Sequence, residues 1–431
     1  MSEVKPTETT SRREFIKTGT TLSLAGGLLS TFGATSAVHA AGSGTLKVGL
    51  VGCGGRGTGA ASQALHADPD VKLVAVADAF PDRLNQCVTI LSRQNDIKDK
   101  VQVPDDHKFI GFDCYEKLLE SGVDVILLAT PPHFRPAQIA AAVEKGVHIF
   151  AEKPIATDAP GVRSVMASCE KAKEKKLNVV SGLCWRYHPA IREAMKRVHA
   201  GDIGDIVAMR CSYFTGGLWN HGRKENWSDI EWQMRNWLYF TWLSGDHIAE
   251  QAIHSVDKMG WAIGDKSPIA ATATGGRQVR TDPAYGHIYD HFAVEFEYDD
   301  GVRGFARCRQ MPGCFPDVSD AIYGTKGVCH IQGDKARIEG EKPWMSDKLG
   351  GDMYQLEHNA LFAAIRKGEP INNGQYMCNS TLMTILGREA AYTGKRIKWD
   401  EIANSEAKLG PAEYAWGDYP VAPVAMPGVK A

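Results

Sequence analysis

The chain has 431 residues, of which 43% are hydrophobic and 23% are charged, and these proportions are typical of a globular protein with a sizeable core. Its 49 basic and 51 acidic residues give a formal net charge of −2, so the charge balance gives no reason to expect nucleic acid or an anionic membrane as a partner. The length is sufficient for two or three domains of ordinary size.

The N-terminal forty residues differ from the rest of the chain. The segment SRREFIK (11–17) is followed by a long run without Asp, Glu, Lys or Arg, which ends in the small-residue sequence SAVHAAG. The paired arginines, together with Val38 and Ala40, resemble a twin-arginine export signal and its cleavage site. The run is broken by Gly, Ser and Thr and is therefore a poor membrane span. We predict a signal peptide over 1–40, a periplasmic location and no membrane span in the mature chain; a disordered basic tail is the alternative.

The ten cysteines all lie after residue 40, and none forms a CxxC pair. Their spacing indicates neither a zinc site nor a disulfide framework. We expect them to be small buried hydrophobic residues, which agrees with folding in a reducing compartment before export.

Short apolar runs alternate with helix-length segments in the first half of the chain. Continuous Val, Ile and Leu runs separated by helices are typical of a parallel sheet with helices on both faces. The predicted strands are 46–51, 71–78, 123–130, 146–152 and 177–182, and the clearest helices are 135–145 and 159–175. The pattern predicts an α/β domain over residues 46–182.

The second half of the chain has a different pattern. Alternating, β-rich runs occupy 206–214, 291–298 and 302–310, and YDDG is a hairpin turn between the last two. Helical patterns return at 354–367 and 377–393. We predict a mainly antiparallel sheet with helices on one face over residues 183–398, followed by a tail, 399–431, that wraps the surface. An exposed sheet face with alternating apolar residues needs cover, so we also predict a homo-oligomer.

A glycine-rich turn follows the first predicted strand. The sequence VGCGGRG places Gly52, Gly54 and Gly57 in the GxGxxG spacing, directly before a helix. These glycines permit a tight turn, close approach to a pyrophosphate and close helix packing, and the helix N-terminus favours the phosphate charge. Asp78, at the end of the second strand, would accept hydrogen bonds from the adenosine ribose and repel a 2′-phosphate. The motif therefore predicts a Rossmann domain that binds NAD rather than NADP.

Further motifs follow in order: ATPPHFR, AEKPIATD, WRYHPAIREAMKRVHAGDIGDI and GDHIAEQAIHSVDKMGW. With the Rossmann start, over about residues 46–398, they resemble the Gfo/Idh/MocA family, which includes glucose–fructose oxidoreductase and inositol dehydrogenase. The resemblance implies a Rossmann domain followed by an α/β domain with an open, mainly antiparallel sheet. It also implies NAD-dependent oxidation or reduction of a secondary hydroxyl of a sugar, glycoside or cyclitol.

The resemblance places Lys153 of AEKPIATD in the active site beside the nicotinamide, with Glu152 and Pro154 on either side. The chemistry agrees, because alcohol oxidation needs a hydride acceptor, a base for the hydroxyl proton and a cation near the developing alkoxide. A lysine at the carboxyl end of a parallel strand also lies at the ligand crevice of such a sheet. The alternative is an ordinary surface lysine.

The last motif would supply the second half of the site. On one continuous helix Glu250, His254 and Asp257 are at positions i, i+4 and i+7 and share a face. The resemblance assigns His254 as the general acid–base, and Glu250 stands where the family usually has Asp. Asp257 would contact the substrate or have only a structural role. A core histidine, or a metal site with His247, remains the alternative, and we expect no metal.

Other residues are assigned by the resemblance to the surroundings of cofactor and substrate. Arg135 stands where the family often has His, and His133 is nearby. The expected cofactor contacts are Gly52, Gly54, Gly55, Arg56, Gly57, Asp78, Thr130, Pro131, His133, Glu152, Lys153 and Arg186. The expected substrate contacts are Tyr187, Arg235, Trp237 and Asp257. The aromatic-rich segment 213–243 would stack on sugar faces, or serve as a hydrophobic flap or oligomer contact.

Three functions are compatible with these residues. The first is a periplasmic NAD-dependent oxidoreductase that keeps its cofactor bound and recycles it with a second carbohydrate substrate. The second is an NAD-dependent glycosidase that works by transient oxidation and elimination, although the His-Gly-rich hallmark of such enzymes is not visible. The third is a non-catalytic sugar-binding protein, against which the intact glycine motif, Lys153 and His254 all argue.

Overall fold

The computed structural model describes residues 44–429, so the predicted signal peptide, residues 1–40, lies outside the described residues. Within this part of the chain, no helix has both the length and the apolar character needed to cross a membrane. The ten cysteines are all free, and all except Cys314 are buried, as the sequence predicted.

The first sheet is parallel and has six strands in the order β3-β2-β1-β4-β5-β6. The strands are β1 (Leu46–Val51), β2 (Val71–Asp78), β3 (Lys108–Ile110), β4 (Val125–Leu128), β5 (His148–Ala151) and β6 (Val179–Ser181). The helices that cover it are α1 (Gly55–Ala67), α2 (Pro81–Ser92), α3 (Cys114–Glu120), α4 (Arg135–Lys145) and α5 (Ala159–Glu174). All four residues of β4 are buried because helices cover both faces, and this confirms the predicted Rossmann domain.

The second sheet has nine strands in the order β14-β13-β12-β11-β7-β10-β9-β8-β15. They are β7 (Ile206–Thr215), β8 (Ala270–Gly276), β9 (His291–Glu297), β10 (Arg303–Gln310), β11 (Asp317–Gly324), β12 (Gly327–Gln332), β13 (Lys335–Gly340), β14 (Trp344–Met345) and β15 (Ile397–Lys398). Only β7 and β10 pair in parallel, so the prediction of a mainly antiparallel sheet is confirmed.

The remaining helices lie between and around the two sheets. They are α6 (Pro189–His199), α7 (Asp229–Arg235), α8 (Thr241–Ser244), α9 (His247–Glu250), α10 (Ile253–Ala262), α11 (Met353–Lys367), α12 (Gly374–Thr393) and α13 (Trp399–Ala403). Fifteen of the twenty residues of α12 are buried, because this helix packs against α5, α10 and β8 together. Helix α11 packs on α1, next to the glycine-rich turn.

The predicted continuous helix through Glu250 and His254 is wrong. Helix α9 ends at Glu250, and α10 begins at Ile253. The amide of Ala252 donates to the carbonyl of His247, a step of five residues, so the regular helical bonding is interrupted between the two helices. The side chains of the last motif therefore do not share one helix face.

Candidate active site and cofactor cleft

The carboxyl ends of the parallel strands bring four predicted site residues to one edge of the sheet. In spatial order, Asp78 ends β2, Gly52 follows β1, Thr130 follows β4 and Lys153 follows β5. The strand order reverses between β1 and β4, and ligands of such sheets bind outside the strand ends at that point. The topology alone therefore makes this edge the candidate site.

A cavity of about 340 Å³ opens at this edge. The predicted cofactor residues that line it are Gly52, Gly54, Gly55, Asp78, Thr130 and Pro131. The aromatic segment contributes the opposite wall through Trp219, His221, Met234, Arg235 and Trp237. Its volume and mixed lining are those of a small-molecule site.

The glycine-rich turn has the geometry that a dinucleotide needs. Gly52 has a φ of +94°, which favours glycine, and a Cβ on Gly57 would lie 1.8 Å from the carbonyl oxygen of Gly52. A Cβ on Gly54 would meet no atom within 4 Å, so a pyrophosphate has room to approach the backbone there. The first turn of α1 holds no acidic residue, and no side chain caps it. Its amides and the positive end of its dipole are therefore available to phosphate.

Asp78 is held in place from two sides. Its carboxylate accepts hydrogen bonds from the backbone amides of Cys53, at 2.6 Å, and Phe80, at 2.9 Å. Burial raises its pKa above the ordinary aspartate value, although these two bonds act against the shift. Each oxygen keeps a free lone pair, so the fixed side chain can accept from the hydroxyls of a ribose.

Lys153 and Glu250 form a direct contact between the end of β5 and the end of α9. The Lys153 Nζ donates to the backbone carbonyl of Glu250 and lies 3.3 Å from its Oε1 atom, and the two side chains are 14% and 13% exposed. Neither residue lines the cavity. Lys153 follows β5, and Thr130, which does line the cavity, follows the neighbouring strand β4. The pair lies one strand beyond the cavity, on the side away from Asp78.

The corner that carries Lys153 is anchored by two buried side chains. Arg135 donates to the carbonyl oxygens of Thr130, at 2.5 Å, and of Pro154, so it connects the ends of β4 and β5. Glu152 pairs with Arg56 Nε at 2.9 Å. The site is therefore supported from outside the cavity lining by Arg56, Glu152 and Arg135.

His254 is 7% exposed, and its Nδ1 atom has no hydrogen-bond partner among the described residues. Burial lowers its pKa well below 6.5, and the neighbouring Lys153 and Lys258 ammonium groups lower it further. Lys258 itself is buried against the carboxylate of Asp320. The imidazole of His254 is therefore neutral at physiological pH.

The arrangement brings together the groups that proton transfer at a hydroxyl requires. Lys153 offers a cation and a proton donor, Glu250 offers an acceptor in contact with that cation, and His254 is a neutral base nearby. A developing alkoxide beside Lys153 would be stabilised electrostatically, because the site is largely shielded from water.

Two predicted contacts, Arg186 and Asp257, are instead bound to each other. Arg186 donates to Asp257 with its Nε, at 2.9 Å, and with Nη2, at 2.8 Å, and it also pairs with Asp265. The side chains of Arg186 and Asp257 are 8% and 1% exposed. A carboxylate that is 1% exposed and paired in this way is not accessible to a substrate, and the structure places neither residue in the cavity.

Tyr187 and His133 also lie elsewhere than expected. The Tyr187 hydroxyl donates to Asn373 Oδ1 at 2.9 Å and connects the turn after β6 to the start of α12. His133 contacts the hydroxyl of Tyr414, at 2.8 Å, and the edge of Trp242, and burial lowers its pKa to about 4. The structure gives neither side chain a place in the cavity lining.

Arg235 and Trp237, predicted to contact substrate, lie at the Asp78 end of the cavity. Arg235 stacks 4.0 Å from the ring of Phe80 and donates to Asp82 at 3.0 Å. Helix α7 of the segment 213–243 thus covers the end of the cavity that would hold adenosine. Tyr213, at the start of the segment, lies near the lysine corner instead, where burial and the Glu250 carboxylate raise its pKa. Aromatic composition alone did not indicate which end it would cover.

Several lining residues escaped the sequence analysis. They are Phe80, Arg83, Gly111, Phe112, Cys114, Phe134 and Gln138. Phe80 and Phe134 come soon after β2 and β4, two strands that the sequence predicts. Their positions near the site could therefore have been inferred. Phe112 follows β3, whose three partly exposed residues were not recognised as a strand.

Within residues 44–429 no group of three or more His, Cys, Asp or Glu side chains has a metal-binding arrangement. His247, the third member of the alternative metal site, directs Nδ1 to Asp246 Oδ1 at 3.0 Å. The structure therefore lends no support to that alternative.

Comparisons with known families agree with this geometry. A family model described as "Oxidoreductase family, NAD-binding Rossmann fold" matches residues 46–181, and "GFO/IDH/MocA C-terminal domain" matches residues 191–330. Together the two models cover more than half of the chain.

Two curated relatives illustrate the range of similar proteins. Scyllo-inositol 2-dehydrogenase (NAD(+)) of Bacillus subtilis is 25% identical over 289 residues, which are 66% of this chain and 73% of that protein. 2,7-Anhydro-N-acetylneuraminate hydratase of Mediterraneibacter gnavus is 25% identical over 259 residues, which are 58% of this chain and 64% of the hydratase.

Among solved structures, the aldose-aldose oxidoreductase of Caulobacter crescentus, complexed with glycerol, superimposes with a TM-score of 0.65. The alignment covers 82% of this chain and 99% of that one at 18% identity, so it supports the fold.

We predict that Asp257→Asn destabilises the protein by about 3–5 kcal/mol, because it leaves the buried Arg186 guanidinium short of its main partner. Glu144→Gln, which breaks an exposed pair with Lys171, is the control and should cost less than about 1 kcal/mol. Denaturant unfolding measures both values. Equal losses in the two variants would contradict a buried structural pair.

Asp78→Ala is expected to weaken NAD binding by roughly tenfold to a hundredfold, because it removes a charged partner of the ribose hydroxyls. Affinity for NADP should fall less, since the repulsion of a 2′-phosphate disappears. Calorimetric titration with both dinucleotides measures this, and Asp105→Ala, on an exposed turn, is the control. Unchanged dissociation constants for both dinucleotides would show that Asp78 does not contact the cofactor.

His254 should remain neutral in the folded protein down to pH values well below 6.5. Its pKa is lowered on folding, so protonation favours the unfolded chain, and its contribution to stability is lost as the pH falls below about 6.5. NMR of histidine ring signals, with His254→Gln for assignment, measures the titration. A His254 signal that titrates near pH 6.5 would refute the buried, neutral state.

Proposed function

The chain belongs to the GFO/IDH/MocA family of NAD-binding oxidoreductases, and we propose that it oxidises or reduces a secondary hydroxyl of a sugar, glycoside or cyclitol. The observation that carries this proposal is the contact of Lys153 with Glu250 beside the buried His254, next to the cleft of the Rossmann sheet. These residues hold one cation, one carboxylate and one neutral base where a hydroxyl would meet the cofactor.

Bound NAD supplies the hydride acceptor. The turn that contains Gly52 and Gly54 would hold its pyrophosphate, and Asp78 would hold its adenosine ribose. Lys153 would donate a hydrogen bond to the reacting hydroxyl oxygen and stabilise the developing alkoxide. The proton would then leave through Lys153 to Glu250, whose Oε1 atom lies 3.3 Å from Nζ, or be accepted by His254.

A second candidate keeps the same residues and changes the net reaction. An NAD-dependent glycosidase would oxidise a ring hydroxyl, lose the acidified neighbouring C–H proton, expel the aglycone, add water and return the hydride. One relative is named 2,7-anhydro-N-acetylneuraminate hydratase, and that name describes addition or removal of water. This similarity is the reason to retain the glycosidase as a candidate. A non-catalytic sugar-binding protein remains the third candidate.

We also propose export by the twin-arginine signal in the folded state, with NAD bound and regenerated inside the site. A homo-oligomer is proposed for the same protein. The outer face of the second sheet supports it, because Phe305 is 40% exposed there. Light scattering at micromolar concentration tests the assembly, and a monomer would rule it out.

The test of the proposed function uses the purified protein and a panel of free sugars, cyclitols and aryl glycosides. NADH absorbance and released aglycone are followed together. Dinucleotide reduction or sugar-to-sugar hydride transfer without aglycone supports the oxidoreductase. Aglycone release without net reduction supports the glycosidase, and binding without either product supports the non-catalytic protein.

We predict that Lys153→Ala and His254→Ala each lower kcat by about 10²–10³-fold and leave NAD bound. Lys153→Ala removes the cation that stabilises the alkoxide, and His254→Ala removes a base. The double variant should lose less than the product of the two effects, because a half-assembled site gains little from the surviving group. Steady-state kinetics, with cofactor occupancy measured in each variant, provides the values.

Lys171→Ala, an exposed lysine on α5, is the matched control and should retain wild-type turnover. Near-normal turnover in Lys153→Ala would mean that the end of β5 is only a structural corner. The role proposed for the lysine would then be wrong.

A further inference from the structure

The chain after α13 passes over the cavity at the end where Asp78 lies. Residues 405–419, here called the tail segment, contain no regular helix or strand. They extend from α5, in the first domain, to α7, in the aromatic segment of the second. None of these residues lines the cavity, but several contact residues that do.

The tail segment begins at a fixed point on the first domain. Arg163 on α5 donates to the carbonyl oxygens of Ala403, at 2.7 Å, and Ser405, at 2.9 Å. The amide of Leu409 then donates to Asp158 Oδ2 at 3.0 Å. These bonds direct the chain toward the loop that follows β4.

Two aromatic side chains of the tail segment pack behind the cavity wall. Trp416 contacts the rings of Phe80 and Phe112, with centroids 5.4 and 4.6 Å apart, and Tyr414 contacts Phe112 and Phe134 at 5.8 and 5.3 Å. All three phenylalanines line the cavity. The wall around the adenosine end is therefore two aromatic layers thick.

The far end of the tail segment is bound to the opposite wall. The Ile230 amide donates to the carbonyl of Gly417 at 3.2 Å. The Tyr419 amide donates to Asp229 Oδ2 at 3.1 Å, and Gln233 Nε2 donates to the Tyr419 carbonyl at 2.6 Å. These partners belong to α7 or its turn, and α7 carries the lining residues Met234 and Arg235.

We propose that the tail segment is part of the NAD site: it joins the two walls at the adenosine end of the cavity and slows the release of NAD. At this end Phe80, on one wall, stacks on Arg235 of α7, on the other, so widening the opening separates the two walls. The tail segment adds hydrogen bonds and aromatic contacts that resist this separation. The inference rests on the binding of NAD and not on the identity of the substrate.

The test compares Tyr414→Ala/Trp416→Ala with wild type in NAD release. Each protein is loaded with radiolabelled NAD and chased with excess unlabelled NAD, and the retained label is followed with time. Loss of these two aromatic side chains should speed release by about tenfold. Met426→Ala, in the same tail but 64% exposed, is the control and should remain within twofold of wild type.

Half-molecules of the cofactor distinguish a local effect from general loosening. The double variant should bind ADP-ribose about tenfold more weakly, whereas affinity for nicotinamide mononucleotide should not change. Unchanged NAD release, or an equal loss of affinity for both half-molecules, would overturn the proposal.

A milder pair of variants covers the case in which the double variant does not fold. Trp416→Ala should speed release, and Trp416→Phe should restore most of the slow rate because it keeps an aromatic ring on Phe112. The unfolding midpoint of each unliganded variant is recorded as a check. If Trp416→Ala releases NAD at the wild-type rate, the proposal fails. None of these experiments measures sugar turnover. A negative result would therefore refute the role of the tail segment and not the proposed oxidoreductase activity.

Discussion

The contact between Lys153 and Glu250 is the interaction on which the candidate active site depends. It joins the end of a strand of the Rossmann sheet to the end of a short helix that belongs to the second half of the chain. Neither half alone contains both the cation and its carboxylate partner. Catalysis at this site therefore requires that the parallel sheet and the mainly antiparallel sheet pack correctly against each other. Much of the surrounding structure supports that packing.

Three arginine side chains provide much of this support. Arg56 connects the glycine-rich turn to Glu152, Arg135 connects the ends of β4 and β5, and Arg186 holds Asp257 of α10. Each guanidinium is planar and can donate to several acceptors at once, which suits a junction between elements. Burial, together with the charges of Lys153 and Lys258, also lowers the pKa of His254.

Much of the first domain could be predicted because its signals are local. The strands 46–51 and 71–78 are found where the apolar runs lie, and the spacing of Gly52, Gly54 and Gly57 implies the turn without any distant contact. The pairing of Arg186 with Asp257 could not be predicted, because it joins positions 71 residues apart and no local pattern links the two side chains. The place of the aromatic segment 213–243 stayed open between sugar stacking, a hydrophobic flap and an oligomer contact for a similar reason: apolar rings specify burial, and only tertiary packing decides which surface they cover.

The central position of α12 has a consequence for how ligands could enter. This helix is enclosed by α5 on the side of the first sheet and by α10 and β8 on the side of the second, and fifteen of its residues are buried. A hinge motion of one sheet against the other would have to expose that helix and break its close packing. Such a motion is therefore costly, and exchange of small molecules falls to the loops at the strand ends. In such a protein the time that a cofactor stays bound is set by short surface segments and not by domain closure.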